Sequence, residues 1–236
     1  MTSERVLALI PAKGKSVRLP RKNVIDFMGK PMLAWTLEAA AETGLFDDIV
    51  VSTEDREIAE VSKNYGASVP FVRPNKLAVD PAGVEIVALD ALDRLEKLGK
   101  HYDTIMILLA TSPLREAMDI EKALAQYRKE EAVSLMSVTE FEHSPYAAYK
   151  DDETSYLTPI FAEMNRLKSQ ELPKTYRCNG AIHILNVEFF KKYKSYTCEP
   201  LLKYVMPRER SVDIDSINDL EFAEFQFNKN IKSKNG

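Results

Sequence analysis

"VLALIPAKGKSVRLPRKN", residues 6–23, joins five consecutive apolar residues to a segment carrying Lys13, Lys15, Arg18, Arg21 and Lys22. An apolar run without alternation fits a strand covered on both faces, the pattern of a parallel sheet flanked by helices. Further short runs repeat it at Ile49–Ser52, Val69–Val72, Thr104–Leu109, Val133–Val138, Ala181–Leu185 and Ser211–Ile214. Between them Met32, Leu33, Leu37 and Ala40 keep a helical spacing, as do Ile58, Val61 and Tyr65, then Ile86, Leu89, Leu92 and Leu95, then Ile120, Ala123, Leu124 and Tyr127. The alternation predicts an α/β fold with a mostly parallel sheet, helices on both faces and right-handed crossovers. Ligands are then expected at the carboxyl ends of the strands, where the basic segment hangs.

The chain of 236 residues suits one large α/β domain, and its net charge of −4 argues against a general nucleic-acid binder. Cys178 and Cys198, with no CxxC pair, suit a reducing compartment, so the cytoplasm is expected. The first residues run straight into a strand-like stretch too short for a secretory signal, and no window reaches the length of a membrane span. Phe141–Arg177 breaks the rhythm with Pro145, Pro159 and Pro173 and isolated aromatics. It reads as a loop-rich insertion whose aromatics also suit a subunit contact. Lys229–Gly236 reads as a frayed polar tail.

Clustered cations after a parallel strand suit a polyphosphate, with Ser16 and nearby backbone amides as further donors, although a charged run is often only solvated surface. Gly14-Lys15-Ser16 is not a Walker loop, because Leu9 stands where the first glycine belongs, and a lone glycine excludes GxGxxG. The second informative stretch is "RSVDIDS", 210–216. In a strand Asp213 and Asp215 share a face while Val212 and Ile214 point inward. Paired carboxylates suit Mg²⁺; the alternative is that Asp215 merely caps the helix beginning near Ile217. Together the two stretches imply a nucleoside di- or triphosphate substrate.

These stretches, with "GKPMLAWTLEAA", "DDIVVSTEDREIAEVSKNYGA", "VPFVRP", "LLATSPLR", "HSPY", "LPKTYRCNGAI" and "MPRERSVDIDS" in that order, resemble the acylneuraminate cytidylyltransferases over Val6 to Phe225. The resemblance implies a single Rossmann-like nucleotidyltransferase domain over 1–236 and a Mg²⁺-dependent transfer of CMP from CTP to a nine-carbon 2-keto sugar acid. It also implies pyrophosphate release and a homodimer in which 141–177 helps line the partner's site. By the family motifs, Lys13, Ser16, Lys22 and Asn23 hold the triphosphate, with Lys22 stabilising the departing charge. Arg73 and Ala82 fall at the cytosine and ribose. Asp213 and Asp215 hold the metal, and the metal or one of these carboxylates assists loss of the hydroxyl proton.

On the sugar side the resemblance points to Leu109, Gln170, Arg177, Asn179, Gly180 and His183. Many relatives carry Gln-Pro where this chain has Leu109-Ala110, Arg at Ser169, Tyr at His183 and Arg at Lys13. Losing the amide and the Arg points to an acceptor other than N-acetylneuraminate or one held otherwise; Arg166, Lys168, Lys174 and Arg177 could replace the charge, with Arg177 preferred as carboxylate partner. Asn179-Gly180 is read either as a plain turn or as a backbone contact beside the sugar. His101, His143 and His183 lack metal-ligand spacing, His143 falling in "HSPY", which the family places near the dimer or sugar site. Trp35 reads as core, and Glu42, Glu57 and "YRKEEA" as solvated faces. The alternatives are an eight-carbon (Kdo) cytidylyltransferase and a catalytically silent nucleotide-binding homologue; a nucleic-acid binder ranks last.

Overall fold

The structure is a computed structural model that describes residues 4–79, 82–151, 153 and 155–234, the last four by backbone alone. In chain order the elements are β1 (Val6–Pro11), β2 (Asp26–Phe27), β3 (Lys30–Pro31), α1 (Met32–Thr43), β4 (Asp48–Ser52), α2 (Arg56–Asn64), α3 (Val84–Lys97), β5 (Thr104–Ile107) and α4 (Ala117–Lys129). Then follow β6 (Ser134–Glu140), β7 (Tyr149–Asp151), β8 (Leu157–Pro159), β9 (Tyr176–Asn186), α5 (Val187–Tyr193), β10 (Leu202–Val205) and α6 (Ile217–Lys234).

Six strands form one sheet in the order β10-β6-β9-β5-β1-β4. β1 pairs in parallel with β4 and β5, and β10 in parallel with β6, whereas β9 runs antiparallel between β5 and β6. The side-chain period of two splits the core into two layers. Ala8, Ile10, Met106 and Leu108 face Leu33, Leu37, Ile58, Ile120 and Leu124 of α1, α2 and α4. Leu7, Leu9, Ile105 and Ile107 face Ala88, Leu92 and Leu95 of α3 and Phe190 of α5. The unbroken apolar run of β1 thus serves helices on both faces, as its sequence predicts. A third cluster, Leu19, Phe27, Met32, Leu114, Val212, Ile214, Leu220 and Ala223, joins the basic segment to the start of α6. Trp35 packs on it with its ring edge-on to Phe27 and Phe227, and its indole N–H donates to the Phe27 carbonyl at 2.8 Å.

Three sequence expectations change. Val69–Val72 is no strand: Pro70 cannot donate to a ladder, pairing stops at a single Val50–Ser68 bridge, and Val72 is exposed. Ser211–Ile214 is extended but outside the sheet, although Val212 and Ile214 are buried as expected. The edge strand β10 takes the outer place instead; its alternate exposure hid it among continuous apolar runs. α6 runs through Lys229 to Lys234 where a tail was expected, and Asn235 and Gly236 lie outside the described residues. Within 141–177 a small β7–β8 hairpin and short 3₁₀ turns match the expected loop- and strand-rich insertion, between a β6 extended to Glu140 and a β9 that starts at Tyr176.

Candidate active site

The carboxyl ends of β1, β4 and β5 meet where the chain order reverses across β1, the place at which open α/β sheets leave a crevice. The basic segment leaves β1 there and is bent by acids just past β4. Glu54 accepts the Gly14 amide at 2.7 Å through Oε1 and the Arg73 guanidinium at 2.5 Å through Oε2. Asp55 caps α2 by accepting the Ile58 amide at 3.0 Å and pairs with Arg21 at 2.6 Å, and Glu57 pairs with Arg21 as well. Glu57 lies exposed, as expected of a solvated face, and from there its carboxylate also meets the loop. A Cβ at Gly14 would stand 2.3 Å from Asp55 Oδ2, so glycine is required here for close approach. Asn23 is buried and donates through Nδ2 to the Lys13 carbonyl at 2.8 Å, which makes it a brace for the loop backbone.

From the other end of the chain, the Ile214 amide donates to the Thr111 carbonyl at 2.8 Å, holding the acidic pair against the end of β5. Asp215 meets Lys22 Nζ and Arg18 Nη2, each at 2.6 Å, and Lys22 also donates to the Ile214 carbonyl at 3.2 Å. Asp215 does not cap α6. Asp219 Oδ2 takes the Asp215 and Ser216 amides at 3.1 and 2.8 Å, while Ser216 Oγ accepts the Asp219 amide at 3.3 Å. That reciprocal cap leaves Asp215 to the cations. Asp213 Oδ1 is buried and has no hydrogen-bond partner among the described residues. Burial raises the Asp213 carboxyl above its ordinary range; the Asp215 charge adds to this, and Thr111 and Lys22 oppose it. A desolvated carboxylate with an orphan oxygen, two residues from another, is a donor set that could hold a hard divalent cation.

A cleft of about 220 Å³ gathers Lys13, Lys22, Asn23, Arg73, Ala82, Leu109, Thr111, Asp213 and Asp215. Ser16 and Gln170 are not among its lining residues; Gln170 lies exposed in a 3₁₀ turn of the 141–177 segment. Gly180 has φ +70°, which favours glycine, and a Cβ there would sit 3.2 Å from Leu109 Cδ1 and 3.5 Å from Asp213 Oδ2. Arg177 lines a neighbouring cleft of about 480 Å³ with Glu140, Glu142, Arg208 and Glu209, and Asp213 borders both.

Two of the sugar-side residues face inward. Asn179 is buried with its amide spent on Ser211 Oγ at 2.9 Å, Met206 Sδ at 3.3 Å, Ser137 Oγ at 2.6 Å and the Ala181 amide at 3.2 Å, so its side chain knits β6, β9 and the 207–212 connection. His183 is 2% exposed, with its ring centroid 4.4 Å from that of Tyr196 and Nε2 3.9 Å from Cys178 Sγ. Burial pushes its pKa down to about 4, so the imidazole is neutral. Sequence reasoning missed the Glu54–Asp55 brace and the Asp119–Arg210 pair. The visible signal for the first was an acidic run directly after a strand and opening a helix.

The profile of the family described as Cytidylyltransferase matches residues 7–185. The chain is 36% identical to the pseudaminic acid cytidylyltransferase of Campylobacter jejuni, across 96% of this chain and 98% of that protein. It is 32% identical to the CMP-N,N'-diacetyllegionaminic acid synthase of Legionella pneumophila, across 93% and 95%. In fold it is similar to a CMP:2-keto-3-deoxy-manno-octonic acid synthetase solved with CTP, with a TM-score of 0.72 at 16% identity over 96% and 100% of the two chains. It is likewise similar to a 4-diphosphocytidyl-2C-methyl-D-erythritol synthase from Anaerococcus prevotii, with a TM-score of 0.68 at 13% identity over 95% and 99%. A sheet that brings a cationic loop and two carboxylates to one crevice, and a family profile that runs from β1 into β9, lead to one assignment: this chain belongs to the cytidylyltransferase family.

Proposed function

We propose that this enzyme transfers CMP from CTP to the anomeric hydroxyl of a nine-carbon 2-keto sugar acid and releases pyrophosphate. The observation that carries the reading is the single cleft in which Lys13 and Lys22 face Asp213 and Asp215, in a chain that follows two nonulosonate-activating relatives over nearly its whole length. The acceptor oxygen forms a bond to the α-phosphorus as the bond to the pyrophosphate oxygen breaks in line, and the hydroxyl proton leaves. Positioning and charge neutralisation supply most of the rate, so no covalent nucleophile is required.

Lys22, with its side chain 13% exposed, is the cation placed to neutralise the departing pyrophosphate. Asn23 and Glu54 keep the loop amides in place, and Arg73, held by Glu54, forms the base side of the cleft. Asp213 and Asp215 would hold Mg²⁺; the orphan oxygen of Asp213 fits that role. When bound, the ion supplies charge neutralisation at the phosphates and lowers the pKa of a coordinated hydroxyl. Arg177 and Arg208, across Asp213, are the candidates for the sugar carboxylate. The Leu109 side chain at the cleft wall has no hydrogen-bonding group, in keeping with an acceptor of pseudaminic or legionaminic type over N-acetylneuraminate.

We assign the 141–177 segment to a homodimer contact. Tyr156 and Leu157 are 76% and 68% exposed on it, more apolar surface than one short hairpin ordinarily leaves in water. No helix among the described residues is long and apolar enough to cross a membrane, and both cysteines are free, in keeping with a cytoplasmic site of action.

The test incubates the protein with CTP, MgCl₂ and, separately, pseudaminic, legionaminic, N-acetylneuraminic and eight-carbon Kdo acids, and follows pyrophosphate and the CMP-sugar. Release with a nine-carbon acid, abolished by EDTA and restored by Mg²⁺, is expected. Release with Kdo alone, or CTP binding without release on any acid, would replace the reading.

A further inference from the structure

We propose that Arg210 and Asp119 are positioning residues that aim the Asp213–Asp215 pair at the nucleotide cleft, an inference that rests on the function proposed above. Asp119 is 0% exposed, yet it is a carboxylate. Its two oxygens take the Arg210 fork, Nε at 2.9 Å and Nη2 at 2.8 Å. Oδ2 also accepts the Glu116 amide at 3.1 Å at the start of α4, and Oδ1 lies 3.4 Å from the Tyr204 hydroxyl of β10. One buried carboxylate therefore ties α4, β10 and the connection carrying the acidic pair.

That connection, 206–216, has no sheet partner of its own. Apart from the Lys22 and Arg18 cations on Asp215 and the Arg208 guanidinium on the Phe141 carbonyl at 2.7 Å, four contacts hold it: the Met206 amide on the Val138 carbonyl at 2.8 Å, Ser211 on Asn179, the Ile214 amide on Thr111 at 2.8 Å, and Arg210 on Asp119. The first three are single neutral hydrogen bonds. The fourth is charge-assisted and two-pronged, so it fixes direction as well as distance. Arg210 precedes Asp213 by three residues, and the α4 start it grips follows directly on Thr111–Arg115, the stretch that receives Ile214. Releasing the fork loosens the connection ahead of Asp213, so that carboxylate can shift relative to Lys22 even while Asp215 stays paired with it, and a misplacement of about 1 Å is enough to cost roughly 100-fold in rate.

A buried pair serving stability alone is replaceable, because apolar residues of similar volume are often neutral or stabilising in its place. The deciding experiment compares wild type, Arg210→Lys and the double variant Asp119→Leu/Arg210→Met by three readouts: Tm, Mn²⁺ affinity by electron paramagnetic resonance without nucleotide, and kcat with KM for CTP. The double variant is expected to keep a Tm near wild type while Mn²⁺ binding weakens about tenfold and kcat falls about 100-fold. Arg210→Lys, which retains the charge but loses the fork, should fall between. A double variant with wild-type Mn²⁺ affinity and kcat overturns the proposal. If it does not fold, Arg210→Lys decides by the same two readouts, and wild-type values again overturn it. Failure of the functional reading shows separately, as wild-type protein that releases no pyrophosphate on any acid; the Mn²⁺ comparison then still decides positioning.

Discussion

Gly14→Ala adds one methyl group at a position whose backbone accepts any L-residue, so its effect isolates the close approach of the basic loop to α2. The new Cβ would lie 2.3 Å from Asp55 Oδ2 and 2.8 Å from Asp55 Cβ and Cγ, all inside contact distance, and Asp55 Cβ is fixed by the backbone, so a side-chain rotation alone does not relieve the clash. If Asp55 yields, the α2 cap is lost at about 1 kcal/mol. Overpacking adds about 1–3 kcal/mol, and the half-exposed Arg21 pair contributes under about 1 kcal/mol. The total of roughly 2–5 kcal/mol corresponds to a fall in Tm of about 4–20 °C for a domain of this size. If the loop yields instead, the 2.7 Å Gly14–Glu54 bond opens and the Lys13–Asn23 brace shifts, so Tm holds better while CTP affinity drops at least about tenfold, or 1.4 kcal/mol. Differential scanning fluorimetry and calorimetric titration with CTP measure both. A variant with wild-type Tm and wild-type CTP affinity refutes the claim that the acids after β4 shape the loop.

Asp213→Asn should remove most turnover and Mn²⁺ binding while leaving circular dichroism unchanged. Because burial raises the Asp213 pKa, its ionised form opposes folding as pH rises through that value, so the ligand-free variant should melt above wild type at pH 7; a lower Tm would contradict the desolvated setting. His183 has the opposite sign. Its pKa falls from 6.5 to about 4, so its contribution is complete above pH 6.5 and is lost as pH falls toward 4, about 3 kcal/mol in all. His183→Phe should flatten the urea midpoint between pH 7 and 4.5 relative to wild type, and parallel profiles would reject the assignment. Asn179→Ala takes the acceptor from the Ser137 hydroxyl and the Ala181 amide and a donor from Ser211 Oγ, and should cost about 3 kcal/mol in urea unfolding; a loss under about 1 kcal/mol would show that water takes the amide's place.

The sheet was legible because burial on both faces writes itself as uninterrupted apolar runs, in β1 and β5 most plainly. β10 was not, since a half-exposed edge strand looks like any mixed stretch. The 210–216 segment was read with the right facing and the wrong partner: alternation needs only extended backbone, which the chain adopts without joining the sheet. Lys22 and Asp215 stood out as charge types that need each other. Glu54, Asp55 and Arg210 did not, because the residues they grip lie 40, 34 and 91 positions away, and separation along the chain carries no mark of contact. Asn179 shows the same limit from the other side, a polar residue beside a turn whose amide looks inward.

Lys22 and Arg18 both rest on Asp215, so the crevice closes its charges upon each other. An arriving nucleotide must therefore win two ammonium and guanidinium groups away from a carboxylate that would be left bare. A metal-bearing triphosphate settles both sides of that exchange at once, anion to the cations and cation to the acid, whereas a naked one turns its negative oxygens toward Asp215. On the metal site proposed above, this self-neutralisation would act as a filter that favours the ion-laden form of the substrate before any chemistry begins.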